Sequence, residues 1–319
     1  MRTGNKKSRL IRAAAAWDKS VLIYYPDTPD LPLPSGHRFP SRKYRLLRER
    51  IVREAILGDW DLMPSPLAGL TELQRAHAPE YVRAVLEGTL AAEIQRRIGL
   101  PWSETLAIRS RATVGGSLAA ARQALSDGLS GQLAGGTHHA HRDFGSGYCV
   151  FNDLAVAALT LLDEGAVDRV AVVDLDVHQG DGNASLLTSH PGTFVLSVHG
   201  EKNFPFRKVP SDLDVGLPDG TDDRYYLRAL ADALDAVSGF RPDLVLYLSG
   251  VDPLRSDTLG RLDLTFEGLM ERDRMVFEFC RRRSIPVSIA IGGGYADPIT
   301  DSVEAYTNTF RVAREVFRG

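Results

Sequence analysis

Short apolar runs recur along the chain at Val21–Tyr25, Gln132–Ala134, Val170–Val173, Thr193–Val198, Leu244–Leu248 and Val287–Ile291. Each has the length and branched-residue content of a strand. Between them the spacing changes to that of helices. Tyr44, Leu47, Ile51 and Ala55 mark one amphipathic face from near Ser41. Thr71 to Gln74 has the form of a capping box opening a short helix. Glu104–Leu125 is a long Ala-rich helical pattern, weakened in its continuity by Gly115-Gly116. Asn152 is placed to cap a helix running to Glu164, and further helices are predicted over Asp222–Ala236, Phe266–Arg282 and Pro298–Phe317. Strands separated by helices of this length imply βαβ units. The expected fold class is α/β: a single domain with a mostly parallel multi-stranded sheet flanked by helices on both faces. No linker divides the chain, so residues 19–319 read as one domain behind a basic tail over residues 1–18, expected to be poorly ordered.

The polar residues fall into this pattern in an orderly way. Gly135-Gly-Thr-His138-His139 follows one strand and Asp174-Leu-Asp176-Val-His178 the next. Ser197-Val-His199, Ser249-Gly-Val-Asp252 and Gly292-Gly-Gly-Tyr295 follow three more. Open α/β sheets bind ligands outside the carboxyl ends of their strands, and every unusual polar cluster here sits there.

Composition narrows the class little further. The 319 residues are 44% hydrophobic and 25% charged with a formal net charge of −3, so nothing suggests nucleic-acid binding. No apolar run reaches the ~20 residues of a membrane span. Two cysteines, Cys149 and Cys280, are too few for a disulfide framework or a thiolate metal site and suit a reducing, cytoplasmic setting.

The stretch "VAVVDLDVHQGDGN", residues 170–183, carries the sharpest chemical signal. A buried strand runs into Asp174, Asp176 and His178, which share one side of an extended chain. Burying such charges unpaired costs several kcal/mol each, so a cation is expected among them. A lone Asp reads as a turn residue and a lone His as a satisfied core histidine. Both together after a buried strand, joined by Asp252, read as an oxygen/nitrogen metal site with one position open, suited to zinc and tolerable to iron(II). His138-His139 alone reads equally as a surface pair, but its place at the strand ends brings it toward the same cleft, where Asp174 and Asp181 could orient the rings. Tyr295, after three glycines, is either a packing residue or a donor to a developing oxyanion.

The pieces "GGTHHA", "GSGYCVFND", "VVDLDVHQGDG", "LSVHG", "SGVDPLRSDTLG" and "IGGGY", with "RAHAPEYVRAV" upstream, together resemble the zinc-dependent histone deacetylase and acetylpolyamine amidohydrolase family, on the arginase–deacetylase fold. The resemblance spans residues 20–315 and implies Asp176, His178 and Asp252 as ligands of one zinc ion. It implies His138 and His139 as a catalytic pair with Asp174 and Asp181 as their carboxylate partners, His139 being the general base and acid. Tyr295 would stabilise the oxyanion. Asp174 and Ser197, with the main-chain carbonyls of Asp176, His178 and Val198, would form a structural potassium site. Gly147 and Tyr148 would line the acyl-lysine channel, with Phe206 opposite. Gln179, where a histidine is frequent, is similar to the class IV branch and its bacterial relatives. The related dinuclear manganese ureohydrolases resemble "DxHxD" with a further paired Asp, whereas this chain has "DxDxH" and a single carboxylate in "SGVDP". The implied activity is removal of an acyl group, most simply acetyl, from an acylated lysine peptide or a small acylated amine such as an acetylpolyamine; longer acyl-lysines are an alternative. Oligomeric state is not legible.

Overall fold

The computed structural model describes residues 21–318; the basic tail lies outside them. Among the described residues eight strands are formed: β1 Leu22–Tyr25, β2 Asp61–Pro64, β3 Leu129–Gln132, β4 Val170–Asp174, β5 Thr193–Gly200, β6 Leu213–Leu217, β7 Leu244–Leu248 and β8 Val287–Ala290. They make one sheet in the order β2-β1-β3-β8-β7-β4-β5-β6, and every neighbouring pair is parallel. All carboxyl ends therefore lie along one edge.

The helices are α1 Lys43–Arg53, α2 Leu70–Leu73, α3 Pro79–Glu87, α4 Ala92–Ile98, α5 Glu104–Asp127, α6 Asp153–Asp163, α7 Asp181–Leu187, α8 Asp223–Phe240, α9 Phe266–Arg282 and α10 Ile299–Arg318. They cover the sheet on both faces. In β4, Val170 and Val172 pack into one apolar layer while Ala171 and Val173 pack into the other. Such complete burial contributes about 1.5–3 kcal/mol per valine, and it explains why the strand is apolar at every position rather than at alternate ones.

Local sequence sets the helix starts. Asn152 Oδ1 accepts from Ala155 N at 2.8 Å, Asp222 Oδ1 from Tyr225 N at 2.9 Å and Thr265 Oγ1 from Gly268 N at 2.9 Å, so α6, α8 and α9 begin where capping residues stand. Three expectations are corrected. The short helix near Thr71 is α2, and its reciprocal bond runs from Gly69 N to Glu72 Oε2 at 2.8 Å, so Thr71 is inside the helix rather than its cap. Helix α1 buries Leu47 and Ile51 but ends at Arg53; Ala55 is exposed with φ 48°. Helix α5 forms where expected and runs unbroken through Gly115-Gly116, the place where the chain at Pro66 crosses it closely: a Cβ on Gly115 would lie 2.0 Å from the Pro66 carbonyl oxygen. Strand β3 also begins earlier than its apolar run, at Leu129, and ends at Gln132; Ser130 and Gly131 hide it from an apolar pattern, and the buried Gln132 amide donates to the Thr113 carbonyl of α5 at 2.9 Å.

Candidate active site

Parallel pairing puts the ends of β3, β4, β7 and β8 side by side, and the candidate residues converge there. Just beyond β4, the Asp176 carboxylate is fixed by main-chain donors, His178 N to Oδ1 at 3.0 Å and Gly293 N to Oδ2 at 2.7 Å. Just beyond β7, Asp252 Oδ1 accepts from Val177 N at 2.8 Å. His178 Nδ1 lies 3.0 Å from Asp176 Oδ1 and 3.1 Å from Asp252 Oδ2, and one donor atom from each of the three residues lies within 4.8 Å of the others. Gly293 is required by this crowding: a Cβ there would come within 2.0 Å of Asp252 Oδ2.

The electrostatics of the trio call for a cation. Burial alone would lower His178, yet the two carboxylates raise it to about 10. Burial and the neighbouring Asp176 push Asp252 up to about 7. Two buried carboxylates thus compete for one positive charge, and an Asp/His/Asp donor set of this kind fits a divalent metal ion.

Beside it stand two histidine–carboxylate dyads. His138 Nδ1 lies 2.8 Å from Asp174 Oδ2 and His139 Nδ1 lies 2.7 Å from Asp181 Oδ1, which leaves Nε2 as the free nitrogen of each ring. The rings are 4.1 Å apart between centroids. Their environments differ. Burial opposes charge on His138, but Asp174 and Asp176 outweigh it and raise the group to about 9. Burial and the adjacent His138 lower His139 to about 4. Burial raises Asp181 but its two imidazoles, His139 and His141, hold it well below the usual carboxylate range.

All of this opens on one cavity of about 1100 Å³. Tyr295 lines it with its phenol held neutral by burial, and Asp257 Oδ2 anchors its main-chain N–H at 2.6 Å. Gly147 and Tyr148 line it too, Tyr148 at a left-handed φ of 67° and 6.1 Å from the Tyr295 ring. Phe206 stands at the mouth, 86% exposed, while Phe204 is the ring that packs edge-on against His139 at 4.9 Å. Gln179 ties this loop down, donating to Val209 O at 2.9 Å and Asp214 Oδ1 at 2.8 Å. Asp174 faces Ser197 across the β4–β5 register.

Several supporting residues escape sequence reading. Asp153 shapes the histidine turn by accepting from Gly136 N, Thr137 N and Thr137 Oγ1 at 3.0, 2.7 and 2.7 Å. The fully buried Arg272 donates to the carbonyls of Leu175, Ser249 and Gly250, and so braces the segments that carry Asp176 and Asp252. Lys43 is buried beneath the glycine loop, donating to Gly294 O at 3.1 Å and Tyr306 Oη at 3.0 Å, with its ammonium 4.8 Å from the Tyr295 ring centroid. An apolar-to-polar pattern could have flagged only Lys43, as a cation on the buried face of α1.

A parallel α/β sheet with a buried Asp/His/Asp trio, paired histidines and a tyrosine at its carboxyl edge defines a metal-site hydrolase architecture. Comparison with known proteins agrees. The family model for the histone deacetylase domain matches residues 37–310. An uncharacterized protein of Picosynechococcus sp. (strain PCC 7002) is 44% identical over 297 residues, covering 93% of this chain and 99% of its own length. Histone deacetylase 2 of Arabidopsis thaliana is 28% identical, covering 94% and 82%. The acetoin utilization protein AcuC of Bacillus subtilis (strain 168) is also 28% identical, covering 87% and 78%. The chain belongs to the histone deacetylase family, and with it to the deacetylase hydrolases, whose catalytic metal is usually zinc.

Proposed function

We propose that this protein removes an acyl group, most simply acetyl, from an amine such as a lysine side chain, using one metal ion held by Asp176, His178 and Asp252. The observation that carries this reading is the meeting of that trio and both histidine dyads at the carboxyl edge of the sheet, with Asp176, His178, His138, His139, Asp181 and Tyr295 lining one cavity. Zinc is the ion that the donor set and the family favour, with iron(II) tolerated by the same ligands. When bound, such an ion lowers the pKa of water to ~7 and polarises a carbonyl oxygen. The protein's own groups do the rest. His139, uncharged and oriented by Asp181, takes a proton from the attacking water at Nε2 and later delivers it to the leaving nitrogen. His138, kept cationic by Asp174, stabilises negative charge beside it. The Tyr295 phenol donates to the carbonyl oxygen as charge develops there. Gly147, Tyr148 and Phe204 enclose the acyl-amine stem, and Phe206, expected as the wall opposite Tyr148, stands instead at the mouth. Asp174 and Ser197 would hold a structural potassium ion with the carbonyls of Asp176, His178 and Val198; full burial of the Asp174 carboxylate between two strand ends supports this.

No helix among the described residues is long and apolar enough to cross a membrane, and two buried free thiols suit a cytoplasmic setting. The test is hydrolysis of an acetyl-lysine peptide by purified protein. Turnover is expected, with about one transition-metal ion per chain, loss on chelation and recovery with zinc. Chelator-resistant turnover, or two transition-metal ions per active chain, would overturn the mononuclear metal assignment.

A further inference from the structure

The charged residues lining the cavity are strongly biased in sign. Six are cations: Arg38, Arg97, Arg109, Lys202, Arg207 and Arg261. The only carboxylates are Asp176 and Asp181, both buried and engaged by histidines. This is a local property, because the chain as a whole carries a formal net charge of −3. The cations come from separate parts of the fold. Arg38 precedes α1, Arg97 lies in α4, Lys202 and Arg207 follow β5, and Arg261 follows β7. All five are exposed, as is Phe206, Arg97 having its guanidinium 3.8 Å from the Phe144 ring centroid, while Arg109 is buried with its guanidinium 4.1 Å from the Tyr44 ring centroid. Asp219 partly neutralises Lys202 and Arg261, at 3.6 and 3.2 Å. Arg38, Arg97 and Arg207 have no carboxylate at ion-pair distance among the described residues.

A concave site rimmed by one sign of charge concentrates ligands of the other and repels its own. A segment rich in lysine or arginine, or a polyamine with its remaining ammonium groups, would bring like charge against this rim. We infer that the substrate is an acyl-lysine flanked by acidic residues, held by Arg38, Arg97 and Arg207 around the mouth. This rests on the deacylase reading above and narrows its substrate class from acylated amines in general to acyl-lysine in acidic peptide segments. The attraction acts on capture of the peptide, so it raises kcat/KM and affinity more than kcat, and salt screens it.

Three peptides of equal length settle the matter, each with one central acetyl-lysine and with acidic, uncharged or basic flanks. Their kcat/KM values are measured with metal-loaded protein at low ionic strength and at ~0.5 M NaCl, where the Debye length is only a few ångströms. Their affinities are measured separately by calorimetry. The expected order is acidic, then uncharged, then basic, with at least a tenfold span between the extremes that collapses in high salt. The double variant Arg38→Glu/Arg207→Glu, altered only at exposed positions, leaves Arg97, Lys202 and Arg261 against the two new carboxylates and Asp219, and is expected to abolish the order. Equal values for the three peptides, a basic preference, an order untouched by the double variant, or acetylspermidine turned over better than the acidic peptide would each overturn the proposal. If no peptide were hydrolysed, the deacylase reading would fall, and the calorimetric order would still decide for or against an anion-selective rim.

Discussion

The phenol of Tyr295 sits in an environment that keeps it protonated: it is buried, and the carboxylates of Asp176 and Asp252 add to the penalty for ionising it. A neutral phenol is what an oxyanion donor must be. Its main chain is anchored by Asp257 and its ring lies over the Lys43 ammonium, and neither contact involves the hydroxyl. Tyr295→Phe therefore keeps the ring and its packing while removing the donor. Turnover on an acyl-lysine peptide is expected to fall about a hundred- to a thousandfold, roughly 3–4 kcal/mol, as for other single oxyanion donors. Metal content and melting temperature are expected to stay near the parent values, and directly measured affinity should weaken far less than turnover. A variant with near-parent turnover would leave Tyr295 as a packing residue only. The roles proposed for His138, His139 and Tyr295 share one logic: neighbouring groups set each protonation state, so that a cation, a neutral base and a neutral acid coexist within one buried cluster.

Among the elements, α5 makes the most testable claim. In an isolated helix, replacing Gly115 by Ala would help by about 1 kcal/mol. In this fold the added methyl would meet the Pro66 carbonyl oxygen at 2.0 Å and Ala68 N at 2.8 Å, both main-chain atoms of one crossing segment. Overpacking of that kind costs typically 1–3 kcal/mol, so the sign reverses: Gly115→Ala is expected to lower the melting temperature by several degrees. A stabilised variant would mean that the crossing segment yields easily. The same closeness explains why two glycines stand in a helical pattern that they weaken. Only the neighbour, remote in the chain, gives the glycines their purpose. The six strands that the apolar runs announce are the six interior ones: β3, β4, β7 and β8 are buried at every position, β5 at all but Phe194, and β1 at alternate positions. The two that they miss, β2 and β6, are the sheet edges. Their burial is partial, and β2 ends in Pro64, which an interior strand would not tolerate. The candidate site was legible for a related reason. Asp176, His178, Asp252 and the histidine pair stand out as charge where a buried strand ends. Arg272 and Asp153 act instead on main-chain groups of other segments, and no pattern along the chain marks such partners.

At the scale of the molecule, stability is tied to pH through histidines that the fold holds uncharged, and among them His77 lies apart from every proposed metal ligand. It is fully buried, with Nδ1 2.8 Å from His141 O and Nε2 accepting from Asn152 N at 2.8 Å. Through it α6 and the histidine turn are joined to the segment before α3. A ring that donates through Nδ1 and accepts through Nε2 is the neutral tautomer, and burial lowers the group to about 4. The unfolded chain takes up the same proton near pH 6.5. Between 6.5 and 4 the unfolded state therefore binds more protons than the folded one, so stability falls as pH falls through that window. The slope approaches about 1.4 kcal/mol per pH unit, on the order of 3 kcal/mol across the window. His77→Gln offers an amide that can donate to His141 O and accept from Asn152 N, yet cannot titrate. Its stability at pH 7 is expected to be somewhat lower than that of the parent, because a planar ring packed against Tyr81 and Phe151 is lost. The parent should nevertheless lose about 2 kcal/mol more than the variant between pH 7 and pH 5, by denaturant unfolding of protein with the same metal content. Parallel losses would show that His77 is free to protonate in the folded state, which the Asn152 amide pointing at Nε2 argues against.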